Sequence, residues 1–596
     1  MSKDQGKAFD FQLLKRILGY TKPYRGLFLG AIVLTIVLSF LVVVRPLLIR
    51  HTLNDYVMVP TDPSHQSWLE TNLLLFTIIM IALLCLESLM QFIAQYSTAL
   101  IGQRIVRDIR TQLHRKILGF RSKYFDNTPI GALVTRVISD IEAINDVFTQ
   151  GFIVIAGDLL TIVVYLAAML YVNWQVTLVV LTTIPVMFLS TWWFKNAVKQ
   201  SFTDVRNQVA RLNTFVQEHI TGMKIVQVFS REKEEMKRFD DINRKHRDAN
   251  VKGVWYYSVF FPVVEILVSV SLGLLVWYAG KQIFQLRAEP GDIAFFVILI
   301  NQFFRPIRML ADRINTLQMG MVASERVFKI LDQDEVIVNE GKVSAQNING
   351  NIRFNDVWFA YNNEDYVLKG INLDVKAGET LALVGATGSG KSSIINLLGR
   401  FYEFNKGGIT IDSVSIREYE LSSLRRNIGV VLQDVFLFSG SIFSNITLDN
   451  PAITHEQVVA ASKAVGAHDF IMKLPGGYDF DVRERGGMLS VGQRQLIAFI
   501  RVYVYNPRIL VLDEATSSID TESEILIQKA TEVLTKGRTS VVIAHRLATI
   551  QNATNIMVID HGQIVESGSH DELLKKDGPY KRLFEMQFSR EEKLAG

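Results

Sequence analysis

The stretch that decides how this chain is read runs from Leu489 to Glu514, LSVGQRQLIAFIRVYVYNPRILVLDE. Its first part, LSVGQ, sets a hydroxyl and backbone donors just ahead of a helix over 494–505, an arrangement suited to a phosphate. Its last part, ILVLDE, is a short run of branched apolar residues, read as a buried strand that ends in two adjacent carboxylates. An anion-binding turn and a metal-capable strand tip, joined by one helix, point to nucleotide chemistry.

A second stretch supports this. Leu381–Val384 reads as a short apolar strand, followed by Gly385-Ala-Thr-Gly-Ser-Gly-Lys-Ser392 and the apolar run Ile394–Leu398. This is the P-loop pattern GxxxxGK[ST] in strand–loop–helix context. Gly385, Thr387, Gly388, Ser389, Gly390 and Ser393 belong to the loop and helix start that would wrap the phosphates of ATP. Lys391 is expected to reach the β- and γ-phosphates and Ser392 to ligate Mg2+. Asp513, at the tip of the strand 509–513, fits a second Mg2+ ligand. Glu514 beside it can orient or deprotonate an attacking water.

The chain has 596 residues, enough for two or three domains, and 49% of them are hydrophobic. Mean hydropathy is +0.21, high for a fully soluble protein. Formal net charge is +4, so no global basic excess points to nucleic acid as a partner. The lone cysteine, Cys85, excludes a disulfide framework and fits a reducing compartment.

Six apolar runs approach the roughly 20 residues needed to cross a bilayer: 27–49, 72–96, 150–172, 175–195, 255–279 and 290–310, the last interrupted by Asn301, Gln302 and Arg305. Basic residues concentrate before the first run and in loops 97–149 and 196–254, which predicts both termini on the cytosolic side. Those two loops keep helical periodicity and read as extensions of the spans. Each has a break for a short crossing helix, at Tyr124–Gly131 and at Thr221-Gly222. Residues 1–26 read as an amphipathic helix on the inner membrane surface, with Lys15, Arg16, Lys22 and Arg25 toward headgroups. The rest divides into a six-helix membrane domain over 27–333, a polar linker at 334–351, an α/β domain over 352–588, and a tail, 589–596. The fold class is an all-α six-span membrane domain followed by an α/β P-loop NTPase domain.

Taken together these motifs resemble those of ATP-binding cassette (ABC) transporters, along the whole chain. The resemblance makes Tyr361 the aromatic that stacks on adenine. Gln433, in VVLQDVFLF, becomes the Q-loop glutamine that meets Mg2+ and water. Ser490, Gly492 and Gln493 form the signature, Asp520 lies in the D-loop at the dimer interface, and His545, in VVIAHRL, contacts the γ-phosphate. Arg483–Gly486 resembles the exporter loop that meets the coupling helices. Val491 departs from the pattern, standing where the usual signature has glycine. A β-branched residue disfavours a left-handed backbone, so the signature tolerates it only if that position is not left-handed.

In this family a signature serves the ATP of another cassette, so one cassette per chain implies two chains. The intact motif set favours a homodimer over a heterodimer with a second half-transporter. Membrane lipids surround it, and spans placed before the cassette resemble exporters of hydrophobic or amphipathic compounds, with lipid flipping as the alternative and a regulator or channel as a remoter one. A bacterial plasma membrane is the expected location. Among charges inside the spans, Glu87 and Glu265 would favour cationic amphiphiles if they faced a cavity; Arg45 lies near an outer end, and interhelical pairing is the commoner fate of such groups, Asp158 included. Aromatics at 255–257 and 260–261 read first as an interfacial belt, with a cavity wall as the other use.

Overall fold

The computed structural model describes residues 11–57, 66–285, 289–513, 521–544 and 547–587, apart from 338, 340, 347 and 363. The chain divides into two compact units: 1–118 with 130–333, and 119–129 with 334–596.

The first unit is helical. Among the described residues five stretches are long and apolar enough to cross a membrane: Lys22–Val57, Thr71–Leu118, Ile130–Leu181, Glu232–Phe284 and Pro290–Leu331. Their apolar side chains largely face outward: Leu74, Ile78, Ile81, Leu89 and Phe92 are all exposed. That pattern suits a hydrocarbon solvent and not water. The run 175–195 is divided between helices Phe152–Leu181 and Ile184–Thr221. Asn173 breaks the first of these, with φ −159° and ψ 102°. Its Oδ1 accepts the N–H groups of Gln175 and Val176 and so caps the helical turn that begins there. Pro185, inside the next helix, accompanies a second break at Thr182-Thr183.

The charged loops are rigid extensions. Helix Gln66–Leu118 has 53 residues, about 80 Å at 1.5 Å per residue. A short helix, Ser122–Asn127, comes next. The second loop continues helix Ile184–Thr221 to a break at Gly222, then a short helix, Met223–Val228, and helix Glu232–Phe284.

The N-terminal helix, Phe11–Gly19, buries Leu14 and Ile17. Arg16 does not turn to headgroups. Its guanidinium donates to both oxygens of Asp332, at 2.6 and 2.7 Å, and lies 4.2 Å from the Phe328 ring centre. A planar fork matched to a carboxylate outcompetes a solvated surface position.

The second unit holds two sheets. Strands β1 (Ile352–Phe359), β2 (Leu368–Val375), β4 (Lys406–Ile411) and β5 (Val414–Ser415) form an antiparallel sheet of order β2-β1-β4-β5. Strands β3 (Thr380–Val384), β6 (Ile428–Val431), β7 (Ile509–Asp513), β8 (Thr539–Ile543), β9 (Asn555–Asp560) and β10 (Gln563–Gly568) form the other, of order β10-β9-β3-β8-β7-β6. All neighbours in it are parallel except β9 and β10. Alternation along β7 separates two cores. Ile509 and Val511 pack with Ile394, Leu397 and Leu398 of helix Lys391–Leu398. Leu510 and Leu512 pack with Leu496, Ile497 and Phe499 of helix Val491–Tyr505. The helix after the P-loop and the helix after LSVGQ therefore lie on opposite faces of one sheet.

The segment 119–129 belongs to this unit. Phe120 bridges antiparallel to Val336, and Arg121 donates its N–H to the Glu335 carbonyl at 2.9 Å. Tyr402 donates its hydroxyl to Asp126.

Candidate nucleotide site

Four parallel neighbours, β3, β8, β7 and β6, end at one edge of the six-stranded sheet. The P-loop leaves β3 after Val384, Asp513 is the last residue of β7, and Gln433 comes two residues after β6. His545 comes two residues after β8 ends at Ile543. The P-loop, Gln433 and Asp513, well separated in sequence, thus share the carboxyl edge, where open α/β sheets bind ligands. Glu514, Asp520 and His545 themselves lie outside the described residues.

The loop fits phosphates. Gly385, Gly388 and Gly390 have φ of +153°, +83° and +110°, which an L side chain rarely adopts. A Cβ on Gly385 would lie 2.2 Å from the Ile559 carbonyl oxygen. Lys391 is buried and its Nζ donates to the carbonyls of Gly385 at 2.8 Å and Ala386 at 2.9 Å. The Ser389 hydroxyl oxygen is buried with no hydrogen-bond partner among the described residues, a cost that a bound anion would relieve. Among the described residues no side chain caps helix Lys391–Leu398; the Ser393 N–H is taken by the Gly390 carbonyl at 3.1 Å, and the amides of Lys391 and Ser392 at the helix start suit a phosphate.

Electrostatics tie the two strand ends together. Burial pulls the Lys391 ammonium below its ordinary pKa, against the pull of Asp513. Burial pushes the Asp513 carboxyl up; Lys391 opposes the rise and Asp434 adds to it. Asp434, next to Gln433, is not among the residues the sequence singles out, and its only signal there is the carboxylate after the glutamine in LQD. Gln433 and Ser392 are exposed. With Asp513 they make a hard-oxygen set suited to Mg2+, which prefers one or two carboxylates alongside phosphate and water.

Tyr361 sits just after β1, half-buried. Its hydroxyl lies 3.0 Å from Ser393 Oγ, and its ring meets Tyr402 edge-on at 5.0 Å. Through Tyr402 it connects to Asp126 of the segment 119–129.

On the sheet's other face, Ser490 and Gln493 form a reciprocal capping box: Ser490 Oγ accepts the Gln493 N–H at 3.2 Å, and Gln493 Oε1 accepts the Ser490 N–H at 3.0 Å.

Comparison with known proteins agrees with this geometry. The family profile described as ABC transporter transmembrane region matches residues 28–307, and that described as ABC transporter matches 368–517. The ABC transporter ATP-binding protein YknV of Bacillus subtilis is 37% identical over 98% of this chain and 96% of its own. The chain is an ABC transporter. An ATP-dependent lipid A-core flippase of Syntrophus aciditrophicus is 32% identical over 97% of this chain and 95% of its own. A Staphylococcus aureus protein named for multidrug export is 35% identical over 96% of this chain and all of its own.

This transporter is a multi-pass membrane protein with the half-transporter layout of an exporter, one membrane domain followed by one ATP-binding cassette. In its signature, Val491 needs no left-handed backbone. Val491 is the first residue of helix Val491–Tyr505, Ser490 before it is extended, and Val491 is not among the left-handed positions. In the membrane half, Asp158 is paired with Arg313 across helices. Glu87 and Arg45 line a common cavity, whereas Glu265 lies by Phe261, Pro262 and Ile266 in a separate shallow groove. Tyr257, Phe260 and Phe261 line a pocket, and Trp255 and Tyr256 do not.

Proposed function

We propose that two copies of this chain form an ATP-driven exporter in a bacterial plasma membrane, with both termini and the cassettes (352–588) cytosolic and six passes per copy within 27–333. Two ATP molecules are sandwiched between cassettes. Tyr361 stacks on adenine, and the P-loop from Gly385 to Ser393 holds the phosphates. Ser490, Gly492 and Gln493 of the other copy close the site, with Asp520 at the interface. Ser392, Gln433 and Asp513 hold Mg2+, which neutralises the developing phosphate charge. Glu514 activates water and His545 steadies the γ-phosphate.

One observation carries this reading: the P-loop helix and the signature helix pack on opposite faces of one sheet. That separation supports a site in which the P-loop of one cassette faces the signature of another. The cargo is a hydrophobic or amphipathic compound, and relatives named for multidrug export and for lipid A-core flipping both fit that class.

Glu514→Gln tests the assignment. Steady-state hydrolysis is expected to disappear and a closed, ATP-bound dimer to accumulate, read by size-exclusion chromatography with retained nucleotide. Wild-type turnover in this variant would remove Glu514 from its role.

A further inference from the structure

Four helices of the membrane half line a half-open cavity of about 500 Å³. Its polar lining includes Arg45 on helix Arg25–Thr52, Glu87 on Gln66–Leu118, Asp158 and Tyr165 on Phe152–Leu181, and Gln302, Arg305 and Arg313 on Pro290–Leu331. Ionised groups inside spans are costly, and the cost is tolerable where they pair or face water and ligand. Asp158 is spent on Arg313. Arg45, Arg305 and Glu87 enter no ion pair among the described residues. All three act electrostatically on Tyr165, so they share one neighbourhood. There two cations face one anion, and the Tyr165 hydroxyl donates to Gln302 Oε1 at 3.0 Å.

A pocket of about 440 Å³, aromatic on one side and carrying Thr191, Asn301 and Asp312 as well, adjoins this cavity and shares Arg305 and Met309 with it. Phe194, Tyr257, Phe260 and Phe261 wall it, with Phe194 stacked on Phe260 at 4.0 Å. Asp312 lies at this aromatic end, beside Tyr257, and not at Tyr165.

We propose that Arg45 and Arg305 bind the anionic phosphate or carboxylate head of an amphiphile whose apolar body lies against Phe194, Tyr257, Phe260 and Phe261. This rests on the exporter reading and reverses the expectation that Glu87 selects cations. Glu87 accepts a donor from the head or from water. Guanidinium forks match phosphate and carboxylate geometry, and in a low-dielectric cavity such charge-assisted bonds strengthen.

The test uses the full-length protein in phosphatidylcholine vesicles. Two readouts are taken: equilibrium binding of a fluorescent alkyl phosphate, and ATP turnover relative to each variant's own unstimulated rate. Alkyl phosphate binding is expected to weaken about tenfold or more in Arg45→Gln and in Arg305→Gln, the loss of a charged hydrogen bond, with partial recovery in Arg305→Lys. Adding phosphatidylglycerol asks whether the head arrives on a bilayer lipid, and adding free dodecyl phosphate asks whether it arrives on a soluble amphiphile; a response to either supports the site. Unchanged binding in both glutamine variants overturns it, as does tighter binding of tetraphenylphosphonium than of alkyl phosphate. Because binding is read apart from hydrolysis, an intact alkyl phosphate site without ATP turnover would strike the exporter reading alone.

Discussion

The cassette carries two turns ahead of helices, the P-loop and the signature, built on opposite principles. The P-loop forces its amides inward with left-handed glycines at 385, 388 and 390 and buries a lysine against its own carbonyls. The signature uses an ordinary helix start, an extended serine followed by a capping box, with no left-handed residue from Ser490 to Gln493. One site depends on glycine-only backbone and a buried charge; the other depends on neither. The first is therefore intolerant of side chains and sensitive to pH, and the second accepts a β-branched residue at its centre.

The sharpest way to break this contrast is to add a single methyl group. Gly385→Ala places Cβ 2.2 Å from the Ile559 carbonyl oxygen at a φ of +153°. Both faults are backbone faults, so the neighbour cannot step aside as a flexible side chain would. We expect a loss of about 2–3 kcal/mol in cassette stability and a matching fall in thermal midpoint, with ATP binding lost. A thermal midpoint within a degree of wild type would show that the loop is not strained there.

The reciprocal change at the signature has a smaller effect. Val491→Gly restores the usual family residue but inserts glycine into the first turn of a helix. Stability should fall by at most about 1 kcal/mol, and ATP turnover should stay within about twofold of wild type. A large rise in turnover would mean that valine does hinder the partner's ATP, through its exposed side chain and not its backbone.

These two turns also show why much of the cassette is legible in sequence. Strand, glycine loop and helix are contiguous, so Leu381–Leu398 and Leu489–Asp513 each carry their own context. Breaks at Tyr124–Gly131 and Gly222 are legible for the same reason, being local turn chemistry. The membrane half is different. Arg45, Glu87 and Arg305 come from three helices, and nothing in an apolar run says which side faces a cavity. Glu87 and Glu265 look alike in sequence, yet one lines a cavity with Arg45 and Arg305 and the other lies along Phe261 and Ile266. Arg16 reads as a headgroup contact only because its true partner, Asp332, lies 316 residues away. Asn173 hides in an uncharged link and proves to cap a helix. Asp434 gives no local sign of its role, because its effect on Asp513 exists only once β6 and β7 pair.

The smallest effect comes from that last pair. Asp513 is held above its ordinary range by burial first, with Asp434 adding and Lys391 opposing. Lys391 is held below its own range, again by burial. A raised carboxyl takes up a proton as pH falls through its folded-state value, earlier than a solvated aspartate would, and can then no longer hold a cation. A lowered ammonium loses its proton earlier as pH rises, and phosphate loses its partner. Mg2+-dependent ATP binding to the Glu514→Gln protein should therefore weaken at both ends of the pH range. Ser490, Gly492 and Gln493 do not titrate, so neither limb belongs to the signature. Asp434→Asn removes one of the two influences raising Asp513, and should move the acid limb alone to lower pH. A shift of the alkaline limb instead, or none at either end, would detach Asp513 from Asp434 and return the pH dependence to residues beyond this strand edge.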